Sequence, residues 1–157
     1  MSAPATQTTL LGAWVGATIF FGAAVAPAAF AVLPTRALAG AMVGRVLPAL
    51  FYSGMVVGLV VLGLLVAADG NGIARRGRRA AASLIIVACA LGQFVVGARI
   101  DRLRAEIGGT LDTLPAGDAR RVAFGRLHGA SVGMMGVAVL AALGGIILTV
   151  RASTRYN

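Results

Sequence analysis

Five side chains carry most of the chemistry this sequence offers: Arg45, Gln93, Arg99, His128 and Ser131. Guanidinium groups recognise carboxylates and phosphates through several N–H donors. Gln93 and Ser131 both donate and accept, so they could orient a ligand, and His128 is the single side chain that titrates near neutral pH. Each also has a plainer role. Arg45 and Arg99 would snorkel to headgroups, Gln93 would make an interhelical hydrogen bond worth roughly 0.6–2 kcal/mol, and His128 would be a hydrogen-bonded structural residue. Metal and haem chemistry finds less support. One His cannot supply a bis-His haem site, and His128 and Met135 lie seven residues apart on one apolar run. Copper(I) would accept His128 with Met134, Met135 or Cys89, but Met and Cys do not cluster. No GxSxG or HExxH motif occurs. The lone Cys89 rules out an intramolecular disulfide and reads as a small packed residue rather than a nucleophile. No metal and no cofactor is expected.

The elements that must position these groups follow from composition. The chain has 157 residues, 59% hydrophobic and 12% charged, with a mean hydropathy of +0.90. A soluble domain averages about 25% charged residues, so this chain has too few polar groups to clothe a globule in water. The net charge of +9 does not point to nucleic acid, because the Arg residues sit in gaps between apolar runs. Crossing a hydrocarbon core of about 30 Å takes roughly 20 apolar residues, and four segments qualify: 10–33, 46–68, 80–98 and 127–150. Runs such as VVGLVVLGLLVAA do not alternate in polarity, so helices are expected and a barrel is not. The prediction is an all-α membrane protein, a single domain over 1–157 forming a four-helix antiparallel bundle. The first run has no Lys or Arg before it and exceeds the length of a signal-peptide core, so it is expected to stay as a span.

The linkers add detail. Pro27 should kink segment one, and Pro48 is expected in the first turn or so of segment two, where a missing N–H is tolerated. The second linker, DGNGIARRGRR, reads as a turn at its glycines and Asn71 followed by a basic cluster. In RIDRLRAEI, Ile100, Leu103 and Ile107 share a helical face and Arg102 and Glu106 have ion-pair spacing. An amphipathic extension should therefore carry segment three out to Gly108 and Gly109. Residues 112–117 read as a turn, and Asp118 as the N-cap of the last helix. The antiparallel order puts Arg45, Gln93, Arg99, His128 and Ser131 in one half of the bilayer, where they should face the bundle interior or a wet pocket. The raw Arg count slightly favours the third linker inside, whereas the density of RRGRR favours the second; N-in/C-in is the expectation taken. GxxxG pairs at Gly12 and Gly16, Gly54 and Gly58, and Gly129 and Gly133, with Ala88 and Gly92, suit close packing within the bundle or a homo-oligomer face.

The motifs GRVLPALFYSG, ARIDRLRAEI and FGRLHGAS together resemble the transmembrane protein 205-like family, including its bacterial domain-of-unknown-function branch (DUF4149-like). The resemblance runs from about Leu11 to Leu148, and the FxxLHxxS element at Phe124, Leu127, His128 and Ser131 is its most specific part. It marks Arg45, Arg99, Arg104, His128 and Ser131 as positions to watch. Many relatives have an Asn shortly after the serine, where this chain has Gly133 and Met134. The resemblance implies a four-helix membrane protein, with animal members associated with tolerance to platinum drugs, and supplies no reaction or cofactor. The expected function is non-enzymatic: binding or moving a small solute or lipid in a bacterial inner (plasma) membrane, with membrane lipids as partners and no nucleic acid. The alternatives are a haem- or metal-linked oxidoreductase subunit and a structural subunit of a larger complex.

Overall fold

Four helices carry the chain, and each outruns its apolar segment. The computed structural model describes residues 3–67, 72–108, 111–115 and 117–154. Span one is Ala3–Val32, span two Arg36–Ala67, span three Ile73–Ile107 and span four Ala119–Ser153. At about 1.5 Å per residue, helices of 30 to 35 residues reach well past a hydrocarbon core of about 30 Å. The predicted extension of segment three is real: the helix runs on to Ile107 and is ended by Gly108 at φ 62°, a left-handed conformation that glycine adopts without a Cβ clash. Arg102 and Glu106 make no ion pair; among the described residues the salt bridge is Arg120–Asp118. The turn expected at Asn71 lies outside the described residues.

The two prolines are accommodated in different ways. Pro27 follows a π-helical turn, Phe21–Val25, after which α-helix resumes over Ala26–Val32. Widening the helix by one residue absorbs the missing N–H, as local π adjustment does in membranes. Pro48 is not in a first turn: span two already begins at Arg36, so Pro48 sits inside the helix. ALAGAMVGR is therefore helix rather than a lead-in, and the Gly44 carbonyl lacks the donor that residue 48 would otherwise supply.

Spans pack round a square. Span three lies against spans two and four, and span one closes the figure by packing on the same two. The core contains Leu11 and Trp14 from span one, Phe51 and Leu65 from span two, Ile85 and Cys89 from span three, and Ala138 and Ala142 from span four. Apolar burial drives little in lipid, so close backbone approach decides the arrangement. Gly54 is the tightest such place. A Cβ there would meet Cys89 Sγ and Trp14 Cζ2 at 2.7 Å. The indole cannot easily retreat, because its Nε1–H donates to the Leu50 carbonyl at 3.0 Å. Gly58 is closed against Ile86 and the Ala82 carbonyl, and Gly92 against the Phe51 ring. The glycine pairs of spans one and four differ: Gly12, Gly16, Gly129 and Gly133 have no neighbour within 4 Å of an added Cβ.

Both ends of the bundle are tied by polar contacts. Arg79 Nη2 donates to the Leu65 carbonyl at 2.9 Å, capping the last turn of span two. Asp118 begins span four as predicted: its carboxylate accepts the Arg120 backbone N–H at 2.8 Å and the Arg120 guanidinium at 2.9 Å. Those hydrogen bonds hold its pKa down at about 2. The folded value lies below the unfolded one, so the cap contributes at pH above about 4 and is lost as pH falls through about 2.

Two outcomes follow. Gly54→Ala should cost about 1–3 kcal/mol by overpacking and lower the melting temperature in detergent, while Gly133→Ala leaves it unchanged. Arg120→Gln should move the Asp118 titration upward toward the ordinary carboxylate range, read by carboxyl NMR, and Asp118→Ala should speed hydrogen exchange in the first turn of span four.

Candidate functional site

Above the Gly54 contact the square comes apart on one side. Span one is held against span four along Ala3–Phe20, but its last turns, Ala26–Val32, pack on span two without comparable packing on span four. Beside this stretch lies a groove of about 660 Å³ among spans two, three and four, with Phe30 of span one at its edge, within the range of small-molecule sites. Three helical stripes line it. Span two contributes Gly44, Leu47, Pro48 and Phe51, at the spacing of one helix face. Span three contributes Gln93, Gly97, Ile100, Asp101 and Arg104, and span four Arg121, Phe124, His128 and Ser131. Phe30 stands at the edge from span one and Leu111 from the connector.

Chemistry is graded along this groove. Toward the bilayer centre, Phe51 and Ser131 are buried, and Leu47 is part of the packing around the core. Toward the connector the lining turns cationic, with Arg36, Arg104 and Arg121 against a single carboxylate, Asp101. Arg104 is the most constrained of these. Its guanidinium carbon lies 5.4 Å from the centre of the Phe124 ring, a cation–π contact. Its Nη1 lies where a Cβ on Gly44 would approach to 2.8 Å. So the aromatic ring flanks the planar group and a bare backbone leaves room for it. No carboxylate among the described residues pairs with it. Arg121 Nη1 donates to the Leu114 carbonyl at 2.9 Å, tying the connector to span four.

The five residues singled out from sequence divide. Gln93, His128 and Ser131 line the groove together. Arg45 and Arg99 are exposed and face elsewhere. Each lies in a stretch that does contribute, but turned off the lining stripe. Gln93 belongs to a second π-helical segment, Leu91–Gly97, a local widening often found at functional sites. His128 is exposed and lies nearly parallel to the Phe124 ring, 2° between planes at 6.3 Å between centroids. Cys89 is buried in the core. No group of three or more His, Cys, Asp or Glu side chains gathers among the described residues.

Sequence reasoning missed Arg36, Asp101 and Arg121. It also missed polar packing at the opposite end. There Gln7 is only 3% exposed, beside Arg78 and Thr149 in a cavity of about 10 Å³, room for about one water. Its Oε1 and the Nε of Arg78 are buried without a hydrogen-bond partner. The signal was available: Gln7, Leu11, Trp14 and Thr18 fall on one helical face, and all four are buried.

No curated protein and no solved structure matches the chain. Residues 9–108 match a family described as a domain of unknown function, DUF4149. The match covers spans one to three almost entirely and includes Gly44, Arg36 and Arg104, while span four lies beyond it. The chain is an integral membrane member of the DUF4149 family.

Proposed function

We propose that this protein binds a lipid-like amphiphile in the groove among spans two, three and four, without performing a chemical reaction on it. One observation carries the reading: a single cavity joins a cationic end to an apolar floor. The charged part of the ligand would sit with Arg36, Arg104 and Arg121. Its apolar part would lie over Leu47 and Phe51 and leave through the gap beside Phe30. Gln93 and Ser131 would orient it from below, and His128, stacked on Phe124 at the rim, would add a second donor when protonated. Arg45 and Arg99, off the groove, serve as headgroup-level anchors of spans two and three.

The leaflet would follow from the orientation. With the RRGRR cluster on the cytoplasmic side of a bacterial inner membrane, the groove opens to the outer leaflet. Binding in the groove is the first step required for moving the same ligand, and four helices of this length leave room for one occupant.

The test is lipid retention. Protein extracted in mild detergent should carry anionic lipid through purification, seen as adducts in native mass spectrometry. Removing one charged hydrogen bond costs about 1.5–3 kcal/mol, so Arg104→Gln should reduce those adducts about tenfold or more. Equal adducts on wild type and Arg104→Gln, or none above a helical bundle control, would remove the groove as the binding site.

A further inference from the structure

We propose that the cationic end of the groove is built for a terminal phosphate, the phosphomonoester headgroup of a lipid, and discriminates against the phosphodiester headgroups of bulk anionic lipids. The inference rests on the amphiphile reading above and narrows it to one headgroup chemistry.

Charge is the first argument. Arg36, Arg104, Arg121 and Asp101 line the same cavity, and their formal charges sum to +2. A phosphomonoester carries about −1.5 to −2 at neutral pH, whereas a diester carries one negative charge. A monoester therefore neutralises the lining, whereas a diester leaves one positive charge unmatched. Asp101 sharpens the match, since it holds the total at two rather than three.

Donor geometry is the second. A terminal phosphate presents three free oxygens, and three guanidinium groups border this cavity. Each guanidinium can give a paired fork of N–H donors to such oxygens. A diester has two free oxygens and a substituent where the third would be. Arg104 is partly arranged before any ligand arrives: Phe124 lies beside its guanidinium, and the bare backbone of Gly44 leaves room that a Cβ would narrow to 2.8 Å. A fixed donor gives up less freedom on binding than a free surface Arg.

Gly44 makes the idea testable without removing a charge. In Gly44→Ala the new methyl would stand 2.8 Å from Arg104 Nη1, the far end of a flexible side chain. The guanidinium must shift from its place beside Gly44, while the helix, which prefers Ala to Gly, keeps its stability.

The experiment uses the full chain in nanodiscs of phosphatidylcholine doped with equal amounts of phosphatidic acid or phosphatidylglycerol, with retained lipid counted by native mass spectrometry. Wild type should favour phosphatidic acid over phosphatidylglycerol about tenfold, the equivalent of one well-made charged hydrogen bond. Gly44→Ala and Arg104→Gln should both bring the ratio near one with unchanged melting temperatures, and Arg151→Gln, on the far end of span four, should keep the wild-type ratio. Retention of both anionic lipids equally, above phosphatidylcholine, overturns the phosphomonoester inference and leaves the amphiphile reading standing. No enrichment of either overturns both. Displacement of phosphatidic acid by equimolar inorganic phosphate would mean that the chain adds nothing and that free phosphate is the ligand, which also overturns the lipid assignment.

Discussion

Where Trp14 and Cys89 converge on Gly54, three of the four spans are held at van der Waals contact, and the groove exists because nothing comparable happens above. In lipid there is little gain from hiding one apolar side chain behind another, so a bundle is fixed where backbones approach and hydrogen bonds cross between helices. Here both occur at one level. The indole is locked by the Leu50 carbonyl, its edge fills the space that Gly54 leaves, and the thiol of Cys89 fills the other side. One turn further along, Phe51 lies on Gly92 and forms the groove's floor. The same contacts that close the core therefore seat the base of the site.

Departures from regular helix gather in the opened half. Span one widens at Phe21–Val25 just before Pro27, and span three widens at Leu91–Gly97 round Gln93. Span two carries Pro48 in its interior. Each of these loosens an i→i−4 ladder that would otherwise let a helix pack straight along its neighbour. Three irregular helices cannot maintain the uniform contact that Leu11, Ile85 and Ala142 maintain in the other half. The regular part of the bundle supplies stability, and the irregular part supplies a cavity.

How much of this the sequence disclosed depends on which periodicity is read. Hydropathy gave four helices and no strands, and the caps at Gly108 and Asp118 followed from residue chemistry alone. The start of span two was set too late because residues 36–45 are mostly polar or small yet still helical, whereas the helix reading from Asp118 into span four holds. The site was half legible. Position along the spans brings Gln93, His128 and Ser131 to one groove, but position along a helix says nothing about rotation. Each residue turns a helix by about 100°, so Arg45 points away although its neighbour Gly44 lines the groove. Arg99, two residues past Gly97, lies about 200° round the same helix, whereas Arg104 returns to the face. The resemblance did mark Arg104, but only a wheel drawn through Gly97, Ile100 and Asp101 explains why it, and not Arg99, meets the cavity. Gln7 was lost for a simpler reason: the apolar window began at Leu10, three residues after it.

The two ends of the bundle make a controlled comparison, since one set of helices forms both. At the Gln7 end the helices stay close, polar side chains are drawn inward, and the enclosed space is about 10 Å³. At the Arg104 end it is about 660 Å³. Cationic side chains are present at both, so charge is not what opens the groove. Arg79 spends its guanidinium on the carbonyl of Leu65, completing a helix terminus, as Arg121 does in part for Leu114. Among the described residues Arg104 has no such structural partner and instead rests between a ring and a glycine. A guanidinium that the fold positions but does not pair keeps its N–H donors free for an anion from outside, and the groove leaves space beside it.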